Sequence, residues 1–453
     1  MLSPKNIVIV GGNSAGPAAA AKAKRYSPDS NVIMFEAGDF ISTGTCELPY
    51  VLSNEIKSFN EVVFFTPESF EKEKSVKVLT NHFVERIDRK NKLITVKSLK
   101  SNQTYNQNYD KLILATGSRS KTIAGLNANL KNVFHLKSVK NIIELKEYLG
   151  TSTHKNTMII GSGYIGIESA EAFKANGHNV IMLDKEKLPM PGTEIEIQHL
   201  VMDLLKKEKI EFYGNVIDPK FIIKDNEVRG VVIERRTIEV DLILVAVGFE
   251  PNNDLAITAK LEIGKYGGIK INQRLQTSDP NIFAAGDNIE VINKITNRSE
   301  YIPLATYSHQ YGHIAGENAA GGNSIAKPVV KNIAVRIFNK NLCIIGLNSH
   351  EAQENRFSFS SVASIVPNLI KVMPGSENVF GKIIFEKSSK RILGASFFGG
   401  RETIGYSDLI ASFINNKIPA VELANINYNY NPPLSPFVNL LSTLGRKAEK
   451  EKL

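Results

Sequence analysis

The sequence predicts an α/β fold with two Rossmann-like dinucleotide-binding domains, followed by a C-terminal α+β domain. The main observation is a repeat: residues 6–36 and 157–184 each read as strand, glycine turn, helix and strand, and each ends in NVIM, one apolar residue and an acid. A right-handed crossover makes the two strands of such a unit parallel. At 453 residues the chain exceeds one ordinary core, and from residue 326 the pattern changes to strands followed by a helix.

Composition and charge limit the classes of function. Apolar residues make up 42% of the chain and charged residues 22%, as in a folded globular protein. The net charge of +9 would suit nucleic acid, but the lysines are scattered without interleaved aromatic residues, so we expect no nucleic-acid partner. We also expect a cytoplasmic protein with no membrane partner, because the sequence shows neither a signal peptide nor roughly 20 consecutive apolar residues.

The second glycine turn, GSGYIG, has glycine at all three positions of the dinucleotide fingerprint. A pyrophosphate would lie at the helix N-terminus, where free N–H groups and the helix dipole favour an anion. Asp184 ends the next strand, where it would bind a ribose diol and repel a 2′-phosphate, so NADH is favoured. Two lysines follow Asp184 and keep NADPH possible. The predicted contacts in the turn are Gly161, Gly163, Tyr164, Ile165 and Gly166.

The first glycine turn, GGNSAG, is less regular. Gly11 and Gly16 fit the fingerprint, but Asn13 occupies the position of the middle glycine. Glu36 stands twenty residues after Gly16 and supplies the ribose acceptor, so this unit also predicts a dinucleotide site. The predicted contacts are Gly11, Gly12, Ser14, Ala15, Gly16 and Glu36.

The segment from 326 to 453 has a different pattern. Residues 382–400 read as a hairpin, and residues 403–416 read as a helix. We expect an α+β module that serves oligomerisation. The apolar residues expected on its helix are Ile404, Leu409, Ile410 and Phe413.

Three further segments support a family resemblance: YDKLILATGS (109–118), DLILVAVGFEPN (241–252) and TSDPNIFAAGD (277–287). With the two glycine turns, they resemble the pyridine nucleotide-disulfide oxidoreductases along almost the whole chain. The resemblance implies an FAD-binding domain at 1–118 and 250–325, an NAD(P)H-binding domain at 119–249 and a dimerisation domain at 326–453. It implies that Asp287 binds the flavin ribityl chain and that Tyr164 gates the nicotinamide face of the flavin. The same motifs add Thr116, Gly117 and Gly248 as cofactor contacts.

A single cysteine, Cys46 in ISTGTCELPY, defines the branch of the family. This stretch resembles the SFxNCxLPY motif of coenzyme A-disulfide reductases, NADH oxidases and persulfide reductases. One thiol suffices when the substrate brings the second sulfur, because the thiolate can attack a disulfide and form a mixed disulfide. We place Cys46 at the start of a helix over ELPYVLSNEI, whose dipole would favour the thiolate. The second cysteine, Cys343, lies in an apolar strand and is expected to be inert.

Several polar residues match positions that bind CoA in the family. Cationic side chains aimed at phosphates are chemically suitable for this ligand. Ser14 stands where NADH oxidases and peroxidases carry a histidine, which argues against oxygen or peroxide as the main acceptor. The predicted substrate contacts are Lys22, Arg25, Ser42, Lys74 and His309.

A tyrosine near the C-terminus is the remaining predicted catalytic residue. Tyr430, in NYNYNPPLSP, matches the family's YxPPxS segment, which reaches into the partner subunit's active site, and its phenol could protonate a departing thiolate. Other positions depart from the pattern. Glu47 puts a carboxylate beside the thiol and would raise its pKa. The other departures are Thr45, Val372, Met373 and Phe437.

The predicted function is therefore a homodimeric FAD enzyme that passes electrons from NADH through Cys46 to a small disulfide, with CoA disulfide as the favoured substrate. The departures leave an NADH oxidase and a persulfide or polysulfide reductase as alternatives. An electron-transfer flavoprotein for a protein partner and a non-enzymatic NADH-binding regulator are more remote. The sequence predicts no metal site.

Overall fold

The computed structural model describes residues 5–127, 129–151, 155–233 and 235–451. The first part of the chain begins a parallel sheet and adds a small antiparallel sheet, β6–β7–β8, to it. Its first strand is apolar and nearly fully buried, and the alanine-rich helix after the glycine turn is a strong helix former. The elements are β1 (Asn6–Val10), α1 (Ala15–Tyr26), β2 (Asn31–Phe35), β3 (Ile41–Thr43), α2 (Leu48–Leu52), a 3₁₀ turn (Phe59–Val62), β4 (Val63–Phe65), α3 (Pro67–Lys74), β5 (Lys77–Leu79), β6 (His82–Asp88), β7 (Leu93–Ser98), β8 (Thr104–Asn108), β9 (Lys111–Leu114) and β10 (Ser118–Ser120).

The second part repeats this plan around its own glycine turn. The elements are β11 (Val133–Phe134), α4 (Val139–Thr151), β12 (Asn156–Ile160), α5 (Tyr164–Ala175), β13 (Asn179–Leu183), α6 (Ile195–Lys207), β14 (Glu211–Tyr213), β15 (Lys220–Lys224), β16 (Glu227–Ile233), β17 (Arg236–Glu239), β18 (Leu242–Val245) and β19 (Phe249–Pro251). The order of the parallel sheet is β11–β18–β12–β13–β14, and β15–β16–β17 form an antiparallel sheet. The strand after each glycine-turn helix pairs directly with the strand before it.

The chain then returns to the first sheet. Strands β10 and β19 pair antiparallel, and the next elements are α7 (Asp254–Thr258), β20 (Ile282–Ala284), β21 (Val291–Ile292), β22 (Ser299–Glu300) and α8 (Ala305–Ala319). Strand β20 completes the order β20–β9–β1–β2–β5. Helix α8 packs closely on α1, because a Cβ on Gly316 would lie 2.1 Å from the carbonyl oxygen of Ala19.

The C-terminal part is an antiparallel sheet between two helices. The elements are β23 (Asn332–Ile337), β24 (Lys340–Gly346), α9 (Ser349–Glu354), β25 (Phe359–Pro367), β26 (Asn378–Glu386), β27 (Ile392–Gly399), α10 (Glu402–Asn416), a 3₁₀ turn (Ala420–Ala424) and α11 (Leu440–Lys450). The sheet order is β23–β24–β27–β26–β25; α10 packs on β24 and β27, and α11 packs on β25 and β26. The predicted hairpin is β26–β27 and the predicted helix is α10, but Ile404 is 44% exposed rather than in the core.

One arginine of this C-terminal part joins the other two parts. The guanidinium of Arg336 donates to Glu55, with 2.9 Å between Nη1 and Oε2, and its Nη2 lies 3.2 Å from Oε1 of Glu171. It also lies 4.8 Å from the ring centre of Tyr50. Because Tyr50 belongs to α2 and Glu171 to α5, this arginine links these two helices to the C-terminal part.

Candidate functional site

The first glycine turn follows β1 and requires glycine at its two ends. Gly11 has a φ of +110°, and a Cβ there would lie 2.0 Å from the carbonyl oxygen of Ala115. A Cβ on Gly16 would lie 1.8 Å from the carbonyl oxygen of Gly11. These contacts let helix α1 begin directly against the strand ends, which is the close approach that a pyrophosphate site needs.

Glu36 directly follows β2 and lies next to this turn. Its carboxylate accepts hydrogen bonds from the backbone N–H groups of Gly12 and Gly38, both at 2.7 Å. Burial raises the pKa of Glu36, and the hydrogen bonds from Gly38 and Gly12 oppose that rise. The acid is therefore held at the position where a ribose diol would meet it.

The second glycine turn follows β12 with nearly the same geometry. Gly161 has a φ of +105°, and a Cβ on Gly166 would lie 2.0 Å from the carbonyl oxygen of Gly161. Asp184 accepts from the backbone N–H of Ser162 at 2.7 Å and from its hydroxyl at 2.5 Å. The turn opens into a pocket of about 430 Å³, which is also lined by Tyr164, Ile165, Asp184, Lys185 and Gly248.

Both helix N-termini are suited to an anion. Helices α1 and α5 each start without a side-chain capping bond, and neither carries an acid in its first turn. At α1 the hydroxyl of Ser14 donates instead to the carbonyl oxygen of Ala305, at 3.4 Å. The backbone N–H groups of these first turns are therefore left to an anionic ligand, so the chain fits two dinucleotides.

The crossover segments meet beside the first turn. Asp287 accepts hydrogen bonds from the hydroxyls of Ser118 at 3.1 Å and Ser308 at 2.9 Å. Lys137 lies 3.5 Å from the same carboxylate and 4.2 Å from the ring centre of Phe249. Neither Lys137 nor Ser308 could be predicted from the sequence as a contact of Asp287, because both are remote from it along the chain.

Thr116 and Gly117 lie at the end of β9 in the same region. The hydroxyl of Thr116 donates to the carbonyl oxygen of Asn252 at 2.6 Å and accepts from the amide of Asn288 at 3.1 Å. Within the described part of the chain, the Oδ1 atom of Asn288 is buried and has no hydrogen-bond partner. A Cβ on Gly117 or on Gly248 would meet no atom within 4 Å, so open space lies at both positions. A buried acceptor and open backbone fit a bound cofactor here.

Cys46 lies in the turn between β3 and α2, and its side chain is exposed. The surrounding protein still removes water, which raises the thiol pKa, and the charge of Glu47 raises it further. Glu168 and Asp287 act in the same direction, whereas Lys137 is the cation that lowers the pKa. The thiol is thus within electrostatic reach of both glycine-turn units.

Two expectations about this turn need correction. The helix does not begin at Cys46 and run through ELPYVLSNEI; it comprises only Leu48–Leu52, with Pro49 as its second residue. A helix of five residues has a weak dipole, and burial together with the Glu47 charge raises the thiol pKa instead of lowering it. Glu47 itself folds back, because a Cβ on Gly44 would lie 2.5 Å from its Oε2 atom.

A half-buried acid on α5, Glu168, faces the helix that follows Cys46. Burial raises the pKa of Glu168 to about 7, and the hydroxyl of Tyr50 donates to its carboxylate at 3.3 Å. Glu168 stands one helical turn after Tyr164, whose pKa burial raises to about 12. That spacing on one helix face was the available signal for Glu168, which the sequence analysis did not single out.

The predicted substrate contacts are only partly brought together. Lys22, Arg25 and His309 lie on the packed pair α1–α8, and burial followed by the charges of His309, Arg25 and Lys22 lowers the pKa of His313. Lys22 is already paired with Glu317, at 2.7 Å.

The other predicted substrate contacts lie elsewhere. Lys74 ends α3, 3.4 Å from Glu73 and over the ring of Phe65. Ser42 lies in β3 with a φ of +49°.

Tyr430 lies in an exposed segment before α11. Its side chain is 45% exposed and packs edge-to-face on Phe437, with 5.4 Å between ring centres. Leu434 and Phe437 are more than three-quarters exposed. The segment therefore presents an apolar surface that no residue in the described part of the chain covers.

The described residues contain no group of His, Cys, Asp and Glu side chains arranged to hold a metal ion. None of the helices in the described ranges is long and apolar enough to cross a membrane.

Two glycine turns suited to an anion, together with an exposed thiol, are the features of an oxidoreductase that uses nucleotide cofactors. The chain matches the model of the pyridine nucleotide-disulphide oxidoreductase family over residues 5–312, and it belongs to that family. It is 29% identical to an NADH oxidase of Methanocaldococcus jannaschii, covering 98% of each chain. It is equally similar to an NAD(P)H coenzyme A polysulfide/persulfide reductase of Pyrococcus horikoshii, again over 98% of each. The structure of reduced CoADR-RHD from Bacillus anthracis superposes with a TM-score of 0.93 at 28% identity, covering 98% of this chain and 80% of that one.

These comparisons confirm the predicted family and the α/β fold class with Rossmann-like sheets. Membership implies a flavin and a nicotinamide cofactor. The relatives are named as NADH oxidase and as persulfide reductase, so the class of reaction is oxidoreduction with a nicotinamide donor and a sulfur or oxygen acceptor.

Proposed function

We propose that this protein is an FAD-dependent NAD(P)H:disulfide oxidoreductase that reduces a low-molecular-weight disulfide, with CoA disulfide as the preferred substrate. The observation that carries the proposal is Cys46, an exposed single thiol within electrostatic reach of Asp287 and Glu168. FAD would be held by residues 1–118 and 250–325, and the nicotinamide nucleotide by 119–249. In the first turn, Glu36 would take the adenosine ribose; in the second, Asp184 would do so and favour NADH.

The chain's own residues account for the sulfur chemistry. The Cys46 thiolate attacks one sulfur of the substrate; a Cys46–substrate disulfide forms, the substrate S–S bond breaks and one thiolate leaves. Two electrons, which bound flavin would pass on from NADH, then cleave this mixed disulfide and release the second thiol. Lys137 would stabilise the regenerated Cys46 thiolate, because its charge opposes those of Glu47 and Asp287.

The support for CoA is the cationic patch on α1 and α8. Arg25 and His309 would meet phosphate groups, and Lys22 could do so only by leaving Glu317. That ion pair and the carboxylate of Glu47 beside the thiol favour a second candidate, a persulfide or polysulfide, whose reduction needs no phosphate site.

We also propose a homodimer in which Tyr430 reaches the partner's active site. The support is the exposed apolar segment around it. Apolar surface of this kind, next to the polar chain NYNYN, is typical of an interface between copies. In the dimer the Tyr430 hydroxyl would protonate the departing thiolate.

The test is a comparison of Cys46→Ser with Cys343→Ser, whose buried thiol serves as the control. We expect Cys46→Ser to retain bound flavin and its bleaching by NADH, but to lose disulfide turnover by about 1000-fold or more. The wild-type enzyme would be reduced anaerobically with NADH and then mixed, in separate experiments, with CoA disulfide, polysulfide or oxygen, and reoxidation of the flavin would be followed. Full disulfide turnover in Cys46→Ser, or faster reoxidation by oxygen than by any sulfur compound, would contradict the proposal.

A further inference from the structure

Asn13 occupies the middle position of the first glycine turn, and its side chain bonds to the strand that leads to Cys46. Its Oδ1 atom accepts hydrogen bonds from both the backbone N–H and the hydroxyl of Thr43, each at 3.0 Å. Thr43 is the last residue of β3, three residues before the thiol. The turn and the thiol segment are therefore joined by a side chain that a fingerprint glycine would lack.

The matching position in the second turn shows that glycine is not sterically required here. A Cβ on Gly163 would meet no atom within 4 Å. A side chain at this position of the turn, such as that of Asn13, therefore needs no steric clash. What differs between the two turns is the side chain at this position, because Gly163 has none with which to bond a neighbouring segment.

The segment that Asn13 holds is backbone-strained. Ser42 has a φ of +49°, in the left-handed region that residues other than glycine adopt only at an energetic cost. Its backbone N–H donates to the carbonyl oxygen of Gly12 at 2.8 Å. The bonds from Gly12 and Asn13 thus bracket the strained residue, and they keep the chain in the course that carries it to Cys46.

We propose that Asn13 is a positioning residue for Cys46: by holding Thr43 against the first glycine turn, it fixes the distance between the thiol and the cofactor bound at that turn. The proposal rests on the proposed redox role of Cys46. It predicts that Asn13 affects the electron transfer that involves Cys46 and not the one that precedes it.

The experiment separates these two steps in the purified, flavin-loaded enzyme. Cys46 is first loaded anaerobically with dithiobis(nitrobenzoate), which leaves a mixed disulfide on the thiol; excess NADH is then added, and the release of coloured nitrothiobenzoate is followed. The release consumes two electrons and yields the Cys46 thiolate and the free coloured thiolate. Flavin content and the rate of flavin bleaching by NADH, measured in Cys46→Ser, serve as independent readouts.

We expect Asn13→Gly, which restores the fingerprint glycine, to keep its flavin and to release nitrothiobenzoate about three- to tenfold more slowly than the wild type. When Asn13→Gly is combined with Cys46→Ser, the rate of flavin bleaching by NADH should stay within about twofold of that of Cys46→Ser alone. Thr43→Val should slow release less, because the bond from the Thr43 N–H remains. The double variant should be no slower than Asn13→Gly, because the hydroxyl has already lost its acceptor. Asn102→Gly, in the turn between β7 and β8, is the matched control and should match the wild type.

Release from Asn13→Gly at the wild-type rate would overturn the positioning role alone. Equal slowing of bleaching and release, or loss of flavin, would also overturn it, because Asn13 would then serve cofactor binding or stability. No release from the wild type would overturn the redox role of Cys46 and this proposal with it.

Discussion

The two glycine turns share a backbone and differ in what surrounds it. The first glycines of the two turns have φ values of +110° and +105°. A Cβ added to the last glycine would lie 1.8 Å from the carbonyl oxygen of the first glycine in the first turn and 2.0 Å from it in the second. The first turn is bonded to the thiol segment through Asn13, whereas the second opens into a pocket of about 430 Å³. The shared glycines suit both turns to an anion, and the positions that differ decide whether the turn is bonded to the thiol segment or opens into a pocket.

The acids and helices of the two units differ in the same sense. Glu36 bonds to two backbone N–H groups, whereas Asp184 also receives the hydroxyl of Ser162. Helix α5 carries the half-buried acid Glu168 where α1 carries Ala18. The first unit is thus built around small residues and close packing, and the second around a polar network.

The largest effect is expected from alanine at the first glycine of either turn. Gly11→Ala would place its Cβ 2.0 Å from a backbone oxygen, and Gly161→Ala would do so at 2.4 Å, both with positive φ. We expect Gly11→Ala to purify without flavin, and Gly161→Ala to keep flavin while its KM for NADH rises about 100-fold or more. Flavin absorbance and steady-state kinetics measure both. Gly405→Ala, with no atom within 4 Å of its Cβ, is the control; flavin loss in Gly161→Ala would contradict the assignment of the two turns.

The next effect concerns the acid of the second unit. Asp184→Ala should lower the preference for NADH over NADPH at least about tenfold in kcat/KM, because the repulsion of a 2′-phosphate disappears while the exposed Lys185 remains beside it. Both coenzymes would be compared in the same preparation. Asp218→Ala removes an exposed acid and should leave the ratio unchanged. An unchanged ratio in Asp184→Ala would show that Asp184 serves only the Ser162 hydrogen bonds.

The sequence predicted the parts of these sites that the local backbone dictates. Glycines with positive φ and acids at strand ends occupy fixed offsets in a strand–turn–helix unit, so Gly11, Gly161, Glu36 and Asp184 could be found. Contacts such as Asn13 with Thr43 depend on how remote segments pack, and no spacing rule encodes them.

Charge neutralisation was also beyond sequence reasoning. Lys22 was predicted as a substrate contact, but the close packing of α8 on α1 brings Glu317 to it. Lys137 was overlooked because its partner Asp287 is far along the chain. The helix after Cys46 ends sooner than its composition indicates, because Ser53 and Asn54 close it in a turn.

A moderate effect on stability is expected from Glu168, the half-buried acid that has no counterpart in the first unit. Burial is the main cause that raises the pKa of Glu168 to about 7. At pH values between the ordinary pKa of a glutamate and about 7, Glu168 therefore binds a proton when the protein folds. Its contribution becomes more unfavourable as the pH rises through that window. Glu168→Gln should therefore gain about 1–3 kcal/mol in unfolding free energy at pH 8 relative to wild type, and little near pH 5. Urea unfolding at both pH values measures this; Glu144→Gln, an exposed acid, should show no such difference, and an equal gain at both pH values would contradict it.

The smallest effect is expected from Glu47, a charge that only the first unit places beside a thiol. Burial and then Glu47 raise the pKa of Cys46, so Glu47→Gln should shift thiolate formation to lower pH and speed alkylation of Cys46 near pH 7 about two- to fivefold. Mass spectrometry would assign the adduct to Cys46, and Glu85→Gln, an exposed acid on β6, should change nothing. The same variant discriminates between substrates: if Glu47 also repels an anionic disulfide, reduction of CoA disulfide should gain more than reduction of uncharged hydroxyethyl disulfide. Equal gains would mean that Glu47 acts through the thiol alone, and the carboxylate would then give no reason to prefer a smaller sulfur substrate over CoA.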